Sequence, residues 1–167
     1  MKTLHFIGDS LIEYFNWQAR FPDSTVINSG IAGETVSELL ARASSLATLQ
    51  PKPDWIIIMI GTNNVAMQDF SFMGYYQKIV DIFKTSLPSS KILIHGLFPI
   101  EIPWLADNAI ASINEILESF AQQNEIGYLN GCQIFYNKNG TFLEDGVHIS
   151  EDGYSLWANA IENYIFN

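Results

Sequence analysis

The sequence is poor in cysteine and in basic residues. Its single cysteine, Cys132, excludes an internal disulfide and suits a reducing compartment. Eight Lys and Arg residues stand against 18 Asp and Glu residues, which gives a formal net charge of −10. Nucleic acids and anionic membrane surfaces attract basic patches. We therefore expect neither nucleic acid nor an anionic membrane surface as a partner.

Long apolar runs and a recognisable leader are also missing. A membrane span needs about 20 consecutive apolar residues, whereas the longest apolar stretch, 55–60, is only strand-sized. The N-terminus carries one lysine and passes directly into a strand-like segment, unlike a signal peptide. We therefore expect a cytoplasmic location. A chain of 167 residues has the size of one typical domain, so residues 1–167 are predicted to form a single domain.

Five apolar, β-branched segments alternate with amphipathic helical patterns. The predicted strands are 4–7, 25–28, 55–60, 92–97 and 126–129. The third and fourth are apolar on successive residues, which is typical of strands buried on both faces of a parallel sheet. Strand–helix alternation with right-handed crossovers favours a flavodoxin-like, three-layer αβα sandwich. The sequence therefore predicts an α/β fold with a five-stranded parallel sheet.

Five helices are predicted from the 3.6-residue periodicity, and they cover residues 12–20, 35–49, 72–87, 108–123 and 150–166. Thr35 and Glu38 have the spacing of a capping box. The fourth helix is expected to bury a stripe that includes Ile116. His5 and His95 lie inside predicted strands, so we expect both to be core residues.

Gly8-Asp9-Ser10-Leu11 joins the first strand to the first helix. A glycine permits a sharp turn, and a serine at a helix start meets backbone N–H groups and a partial positive charge. Ser10 is thus well placed to be a nucleophile. Ser and Asp are also ordinary N-cap residues, so this motif alone is better explained by a plain strand–turn–helix junction.

Three further motifs follow the other strands or precede the last helix. The segment 28–35 carries Gly33, whose N–H could donate to an anion, although a tight loop without a ligand has the same pattern. Asn63 follows the most apolar strand, where it could bind an oxyanion or simply cap a turn. Asp145 and His148 have a spacing that lets a carboxylate orient an imidazole. Ligands bind at the carboxyl ends of strands in such sheets.

These motifs together resemble the SGNH, or GDSL-type, hydrolase family, in the branch related to platelet-activating-factor acetylhydrolase subunits. Residues 8–11 match its first block, Gly33 its second, Asn63 its third, and Asp145 with His148 its fifth. Glu34 and Asn64 depart from the usual Asp at their positions. The resemblance implies a serine esterase with Ser10, Asp145 and His148 as the catalytic triad. It implies an oxyanion hole formed by Ser10, Gly33 and Asn63.

The substrate is expected to be an ester of a short acyl group such as acetyl, because a protein of 167 residues leaves no room for a lid domain. Lysophospholipase or thioesterase activity, and a non-enzymatic binding module or pseudoenzyme, are the alternatives. The apolar loop 98–105 could form a pocket wall, a lid or a dimer contact. Candidate substrate-binding residues are Asp9, Asn64, Pro99, Trp104 and Val147. No metal or other cofactor is expected, and the candidate partners are a small-molecule ester and a second copy of the chain.

Overall fold

The computed structural model describes residues 1–167 as an α/β protein with one five-stranded parallel sheet flanked by helices. The sheet order is β2-β1-β3-β4-β5. The strands are β1 (Thr3–Gly8), β2 (Thr25–Gly30), β3 (Trp55–Met59), β4 (Lys91–His95) and β5 (Gly127–Leu129). The predicted fold class is confirmed, and all five predicted strands are present, with their ends shifted by at most two residues.

Eight helices lie between or after the strands. They are α1 (Ser10–Glu13), α2 (Trp17–Arg20), α3 (Val36–Leu46), α4 (Thr62–Ala66), α5 (Met73–Ser86), α6 (Ala109–Gln123), α7 (Gly131–Phe135) and α8 (Glu151–Phe166). The short helices α4 and α7 were not predicted, because five residues are too few to show a helical period. None of the helices combines the length and the apolar character that crossing a bilayer requires.

The chain divides into two compact units, Met1–Leu93 and Ile94–Asn167, with the division inside β4. In the N-terminal unit, β1 pairs in parallel with β2 on one side and β3 on the other. All five residues of β3 are buried, as the unbroken apolar run predicts. Phe6 of β1 stacks on Trp17 at a centroid distance of 4.2 Å. Because β1, β2 and β3 run in parallel, the segments after them start at one edge of the sheet.

The predicted helix 12–20 is wrong as a single element, because the helix is interrupted between α1 and α2. At the end of α1, side-chain N–H groups donate to backbone carbonyl groups. The Trp17 indole Nε1–H and the Asn28 amide both donate to the carbonyl of Ile12, at 2.8 and 3.1 Å. Asn16 then starts α2 by accepting the N–H of Ala19. The amphipathic period continues across this break, so the sequence pattern alone does not reveal it.

The capping box before α3 is confirmed. The Thr35 hydroxyl accepts the N–H of Glu38, and the Glu38 carboxylate accepts the N–H of Thr35 at 2.8 Å. Two N–H groups that lack a partner within the helix are thereby satisfied. This fixes the start of α3 directly after the segment that contains Gly33.

In the C-terminal unit, aromatic residues pack around a buried histidine. Trp157 of α8 donates its indole N–H to His95 Nε2 at 2.7 Å, and Phe98 packs edge-on against both rings. The expectation that His5 and His95 are core residues is confirmed, since neither is accessible to solvent. Ile116 was expected to face inward, but it is 54% exposed because α6 buries Ile110, Asn114, Leu117 and Ala121 instead.

Candidate active site

Ser10 is the first residue of α1 and follows directly from the buried strand β1. Asp9 holds this turn: its Oδ1 accepts the N–H of Leu11 at 3.0 Å, and its carbonyl accepts the N–H groups of Ile12 and Glu13. A Cβ on Gly8 would lie only 2.0 Å from the Met59 carbonyl oxygen of β3. Glycine is therefore required at position 8, because β1 and β3 approach each other too closely there for a side chain.

Asp9, a candidate substrate-binding residue, lies buried beneath the turn that carries Ser10. Its exposed fraction is 1%, and its carboxylate caps α1. A side chain that is buried and committed to an N-cap orients the turn that carries Ser10 rather than contacting a ligand in solvent. We therefore assign Asp9 to the support of the nucleophile turn.

Gly33 lies on the exposed loop after β2 with φ of +80°. This left-handed conformation favours glycine. No hydrogen bond within the protein uses its N–H. The preceding Ala32 N–H is bound to Glu13 Oε2 at 2.7 Å, which ties this loop to the helix that begins with Ser10. The N–H of Gly33 is thus available for an anion.

Asn63 lies in α4, directly after β3, and is half-buried. Its Nδ2 donates to the carbonyl of Glu34 at 3.0 Å. A primary amide has two N–H groups, so one remains for a ligand. The structure therefore brings Asn63 next to the loop that contains Gly33, as the sequence motifs predict for the carboxyl ends of β2 and β3.

Asn64 was also expected to bind substrate, and here too the structure favours a supporting role. Its exposed fraction is 1%. Its Oδ1 accepts the N–H of Val36 at 3.0 Å, and its Nδ2 donates to Asp69 at 2.7 Å. Asn64 therefore joins α4 to the start of α3, and both ends of its side chain are committed to that task.

A partly buried ion pair supports the loop after β2. Glu34 is 5% exposed and binds Arg42 of α3 through two contacts, Nε to Oε1 at 2.5 Å and Nη2 to Oε2 at 2.6 Å. The Arg42 Nη2 also donates to the Ser29 carbonyl at 2.7 Å. His5 Nε2 lies 2.8 Å from Ser29 Oγ. Burial, with a smaller contribution from the charge of Arg42, lowers the pKa of His5 to about 4.

The sequence reasoning missed Arg42. The available signal was that it is the only basic residue in the predicted helix 35–49, among residues that are mostly small or apolar. A lone arginine there needs a carboxylate or carbonyl partner. The sequence does not show which of several acidic residues supplies that partner.

Asp145 and His148 form a hydrogen-bonded pair in the C-terminal unit. His148 Nδ1 lies 2.6 Å from Asp145 Oδ2, and Asp145 Oδ1 accepts the N–H groups of Val147 and His148, both at 2.9 Å. These bonds, above all the one from the His148 side chain, lower the pKa of Asp145 to about 2. The carboxylate is therefore ionised at neutral pH, and it selects the His148 tautomer that carries the proton on Nδ1. Val147 contributes its N–H to this turn.

The loop 98–105 is connected to the Asp145–His148 turn. The N–H of Glu101 donates to the Gly146 carbonyl at 2.9 Å. Phe98 is fully buried, whereas Trp104 is 44% exposed. A cleft of about 660 Å³ lies between this loop and α6. Its lining residues are Pro99, Ile100, Glu101, Ile102, Pro103, Leu105, Ala106, Asp107, Ile110, Ala111 and Cys132. Pro99 thus lines a cleft, as a pocket wall would, and Trp104 does not.

Comparison with known proteins identifies the family. The model of the GDSL-like lipase/acylhydrolase family matches residues 6–156. The chain belongs to this family. It is accordingly a hydrolase that acts on ester bonds, and the family predicted from residues 8–11, 33, 63, 145 and 148 is confirmed.

Relatives of this GDSL-like hydrolase include the human platelet-activating factor acetylhydrolase IB subunit alpha2. It is 28% identical over 160 residues, which cover 90% of this chain and 70% of the relative. A GDSL-like lipase from Bacteroides thetaiotaomicron is 26% identical with a TM-score of 0.78, covering 98% of this chain and 87% of that one. A catalytic mutant of an acetylxylan esterase from Geobacillus stearothermophilus shares the fold, with 24% identity, a TM-score of 0.77 and coverage of 99% and 94%.

Proposed function

We propose that this GDSL-like hydrolase cleaves short-chain acyl esters, with acetyl esters as the preferred class, and that Ser10, His148 and Asp145 are its catalytic residues. The observation that carries the proposal is the 2.6 Å hydrogen bond between Asp145 and His148. Because an ionised carboxylate accepts the Nδ1–H of the imidazole, Nε2 carries no proton and can accept one. A base of this kind is what a serine hydroxyl needs to become a nucleophile.

In the proposed reaction, Ser10 Oγ attacks the ester carbonyl carbon while its proton passes to His148 Nε2. The C–O bond to the alcohol then breaks, and His148 returns the proton to the leaving oxygen. Water next attacks the acyl-serine ester, again losing a proton to His148. The carboxylic acid leaves when that proton returns to Ser10 Oγ. Asp145 remains ionised throughout and stabilises the imidazolium.

The oxyanion is proposed to bind the backbone N–H groups of Ser10 and Gly33 and the second N–H of Asn63. Two observations support this assignment. No protein acceptor binds the Gly33 N–H, and Asn63 donates only one of its two amide hydrogens to Glu34. Donors fixed before the reaction stabilise the developing charge without reorganisation. The Asn63–Glu34 bond provides such fixation on one side of the site.

The preference for acetyl esters is supported by the name of the human relative, an acetylhydrolase subunit. Longer acyl chains, as in a lysophospholipase or thioesterase, are the second candidate, and the 660 Å³ cleft behind the loop 98–105 is the observation that favours it. That cleft is large enough for a chain of several carbons, because ligand pockets start at about 300 Å³.

The test is a series of p-nitrophenyl esters from acetate to octanoate, compared between the wild type and Ser10→Ala. We expect the highest kcat/KM with acetate, and no hydrolysis above background for Ser10→Ala. A maximum at hexanoate or octanoate would replace the acetyl preference with the longer-chain alternative. Hydrolysis by Ser10→Ala at the wild-type rate would contradict the proposed mechanism itself.

We also propose a cytoplasmic location and leave a homodimer as a prediction. The location rests on the single cysteine, which is free, since reducing compartments keep thiols unpaired.

Trp104 and the exposed part of the loop 98–105 are the candidate dimer contact. Sedimentation of the wild type and Trp104→Ser would test this, and a monomer at micromolar concentration would contradict it.

A further inference from the structure

We propose that the Glu34–Arg42 ion pair positions the oxyanion donors, so that both residues control the turnover rate without touching the substrate. This inference rests on the proposed function, in which Gly33 and Asn63 supply two of the donors. Its basis is the loop 29–34, which the ion pair holds at both ends.

The need for such support follows from Gly33 itself. Its φ of +80° lies in the left-handed region that glycine adopts readily, and a Cβ placed there would meet no atom within 4 Å. Neither packing at this position nor a hydrogen bond to the Gly33 N–H therefore fixes its peptide. Its two neighbours in the chain are held instead: the Ala32 N–H binds Glu13 Oε2 at 2.7 Å, and the side chain of Glu34, the next residue, is only 4% exposed.

Glu34 influences both proposed donors. Its own peptide is continuous with Gly33, and its carbonyl accepts the Nδ2–H of Asn63 at 3.0 Å. A shift of Glu34 would consequently move the Gly33 peptide and release the Asn63 side chain together. One residue thus sets the distance between two donors that belong to different strand ends.

Arg42 holds Glu34 in a way that a lysine could not. Its guanidinium binds both carboxylate oxygens and also the Ser29 carbonyl, which lies at the other end of the loop. Only a planar fork of donors makes all three contacts at once. At neutral pH His5 is uncharged, so it adds no second cation beside Arg42. The nearby Glu38 is committed to the Thr35 cap.

The decisive variant is Glu34→Gln, which keeps the side-chain shape and removes the charge. Two further variants are compared with it. Arg42→Lys keeps the charge and loses the planar set of guanidinium donors, and Arg42→Met removes both. Lys52→Met and Asp81→Asn serve as controls, because they remove one cation and one anion elsewhere in the same unit. Hydrolysis of p-nitrophenyl acetate is measured per active site, with sites counted by complete fluorophosphonate labelling, so that a loss of folded protein does not count as a loss of rate.

We expect kcat per labelled site to fall about 10- to 100-fold in Glu34→Gln and Arg42→Met, with KM within twofold of the wild type. Arg42→Lys should lie between, and both controls should match the wild type. The double variant Glu34→Gln/Arg42→Met should be no slower than the slower single variant, because each removes the same support.

A second measurement separates positioning from a merely structural role. In the wild type, Asn63→Ala should cost about 10²- to 10³-fold in kcat. In the Glu34→Gln background it should cost at least fivefold less, since Asn63 is already displaced there. An equal cost in both backgrounds would overturn the inference, and so would a kcat per labelled site within twofold of the wild type in Glu34→Gln. If the wild type itself hydrolysed no ester, or if Ser10→Ala were fully active, the proposed function would fail instead.

Discussion

Mild acid should destabilise this hydrolase well before its carboxylates protonate, because two neutral histidines are buried in the fold. His95 is inaccessible to solvent, and burial lowers its pKa from 6.5 to about 4. Its Nε2 accepts the Trp157 indole N–H, while its Nδ1 lies 3.0 Å from the Gly96 carbonyl. Only the neutral Nδ1–H tautomer satisfies both contacts. A proton on Nε2 would face the indole N–H directly.

The size of the effect follows from the pKa difference between the folded and unfolded chain. For a group whose pKa falls from 6.5 to about 4, the unfolded state binds more protons at every pH between these values. The free energy of unfolding therefore falls as the pH decreases through this window. The loss is about 2 kcal/mol at pH 5 and about 3 kcal/mol at pH 4 or below.

His5 has a similarly lowered pKa, also about 4, so it should contribute a loss of comparable size over the same window. Two such losses, about 4 kcal/mol at pH 5, are a large fraction of the 5–15 kcal/mol that stabilises a typical domain. Asp145 acts in a different window. Asp145, with its pKa lowered to about 2, keeps its stabilising contribution above pH 3.8 and loses it only as the pH falls toward 2.

Urea unfolding followed by tryptophan fluorescence at pH 7, 6, 5 and 4.5 measures this dependence. We expect the free energy of unfolding to decrease steadily over this range in the wild type. His95→Gln should be less stable at pH 7 but should lose about half of the pH dependence, and His5→Gln serves as the matched comparison. An unfolding free energy that does not change between pH 7 and 4.5, or an unaltered slope in both variants, would refute the reasoning.

Three further substitutions test the close approach of β1 and β3 and the orienting role of Asp145. Gly8→Ala should destabilise the protein by about 1–3 kcal/mol or more, because the new Cβ would meet the Met59 carbonyl oxygen; Gly74→Ala, in open space on α5, should be neutral or stabilise by up to about 1 kcal/mol. Thermal unfolding distinguishes them, and equal melting temperatures would contradict the close approach of β1 and β3. Asp145→Asn should lower kcat by about 10²- to 10⁴-fold because His148 loses its orienting anion; a kcat within threefold of the wild type on p-nitrophenyl acetate would count against that role.

The strands and the long helices could be predicted because burial dictates their residue pattern. The unbroken apolar run of β3 and the stripes on α3, α5 and α8 reflect the faces that the core covers. The capping box at Thr35 is a purely local signal, and it was predicted correctly. The pattern failed at Ile116, because the polar Asn114 occupies the buried face in order to hold the Leu97 backbone.

Several features of the candidate site could not be predicted, because they depend on contacts between distant residues. Nothing local indicates that Asn28 ends α1 by binding carbonyl groups 13 to 16 residues away. The burial of Asp9 and Asn64 likewise appears only once the strands are packed. The motif positions themselves were recognisable from their residue types and spacing.

Covalent labelling of Ser10 tests the central claim most directly. The wild type and Ser10→Ala are incubated with a fluorophosphonate, and the labelled residue is located by peptide mass spectrometry, with His148→Ala to test the base. The proposed mechanism predicts labelling at Ser10, no label in Ser10→Ala, and much slower labelling in His148→Ala. Labelling at another residue, or a folded wild type that takes up no label while it hydrolyses esters, would contradict it.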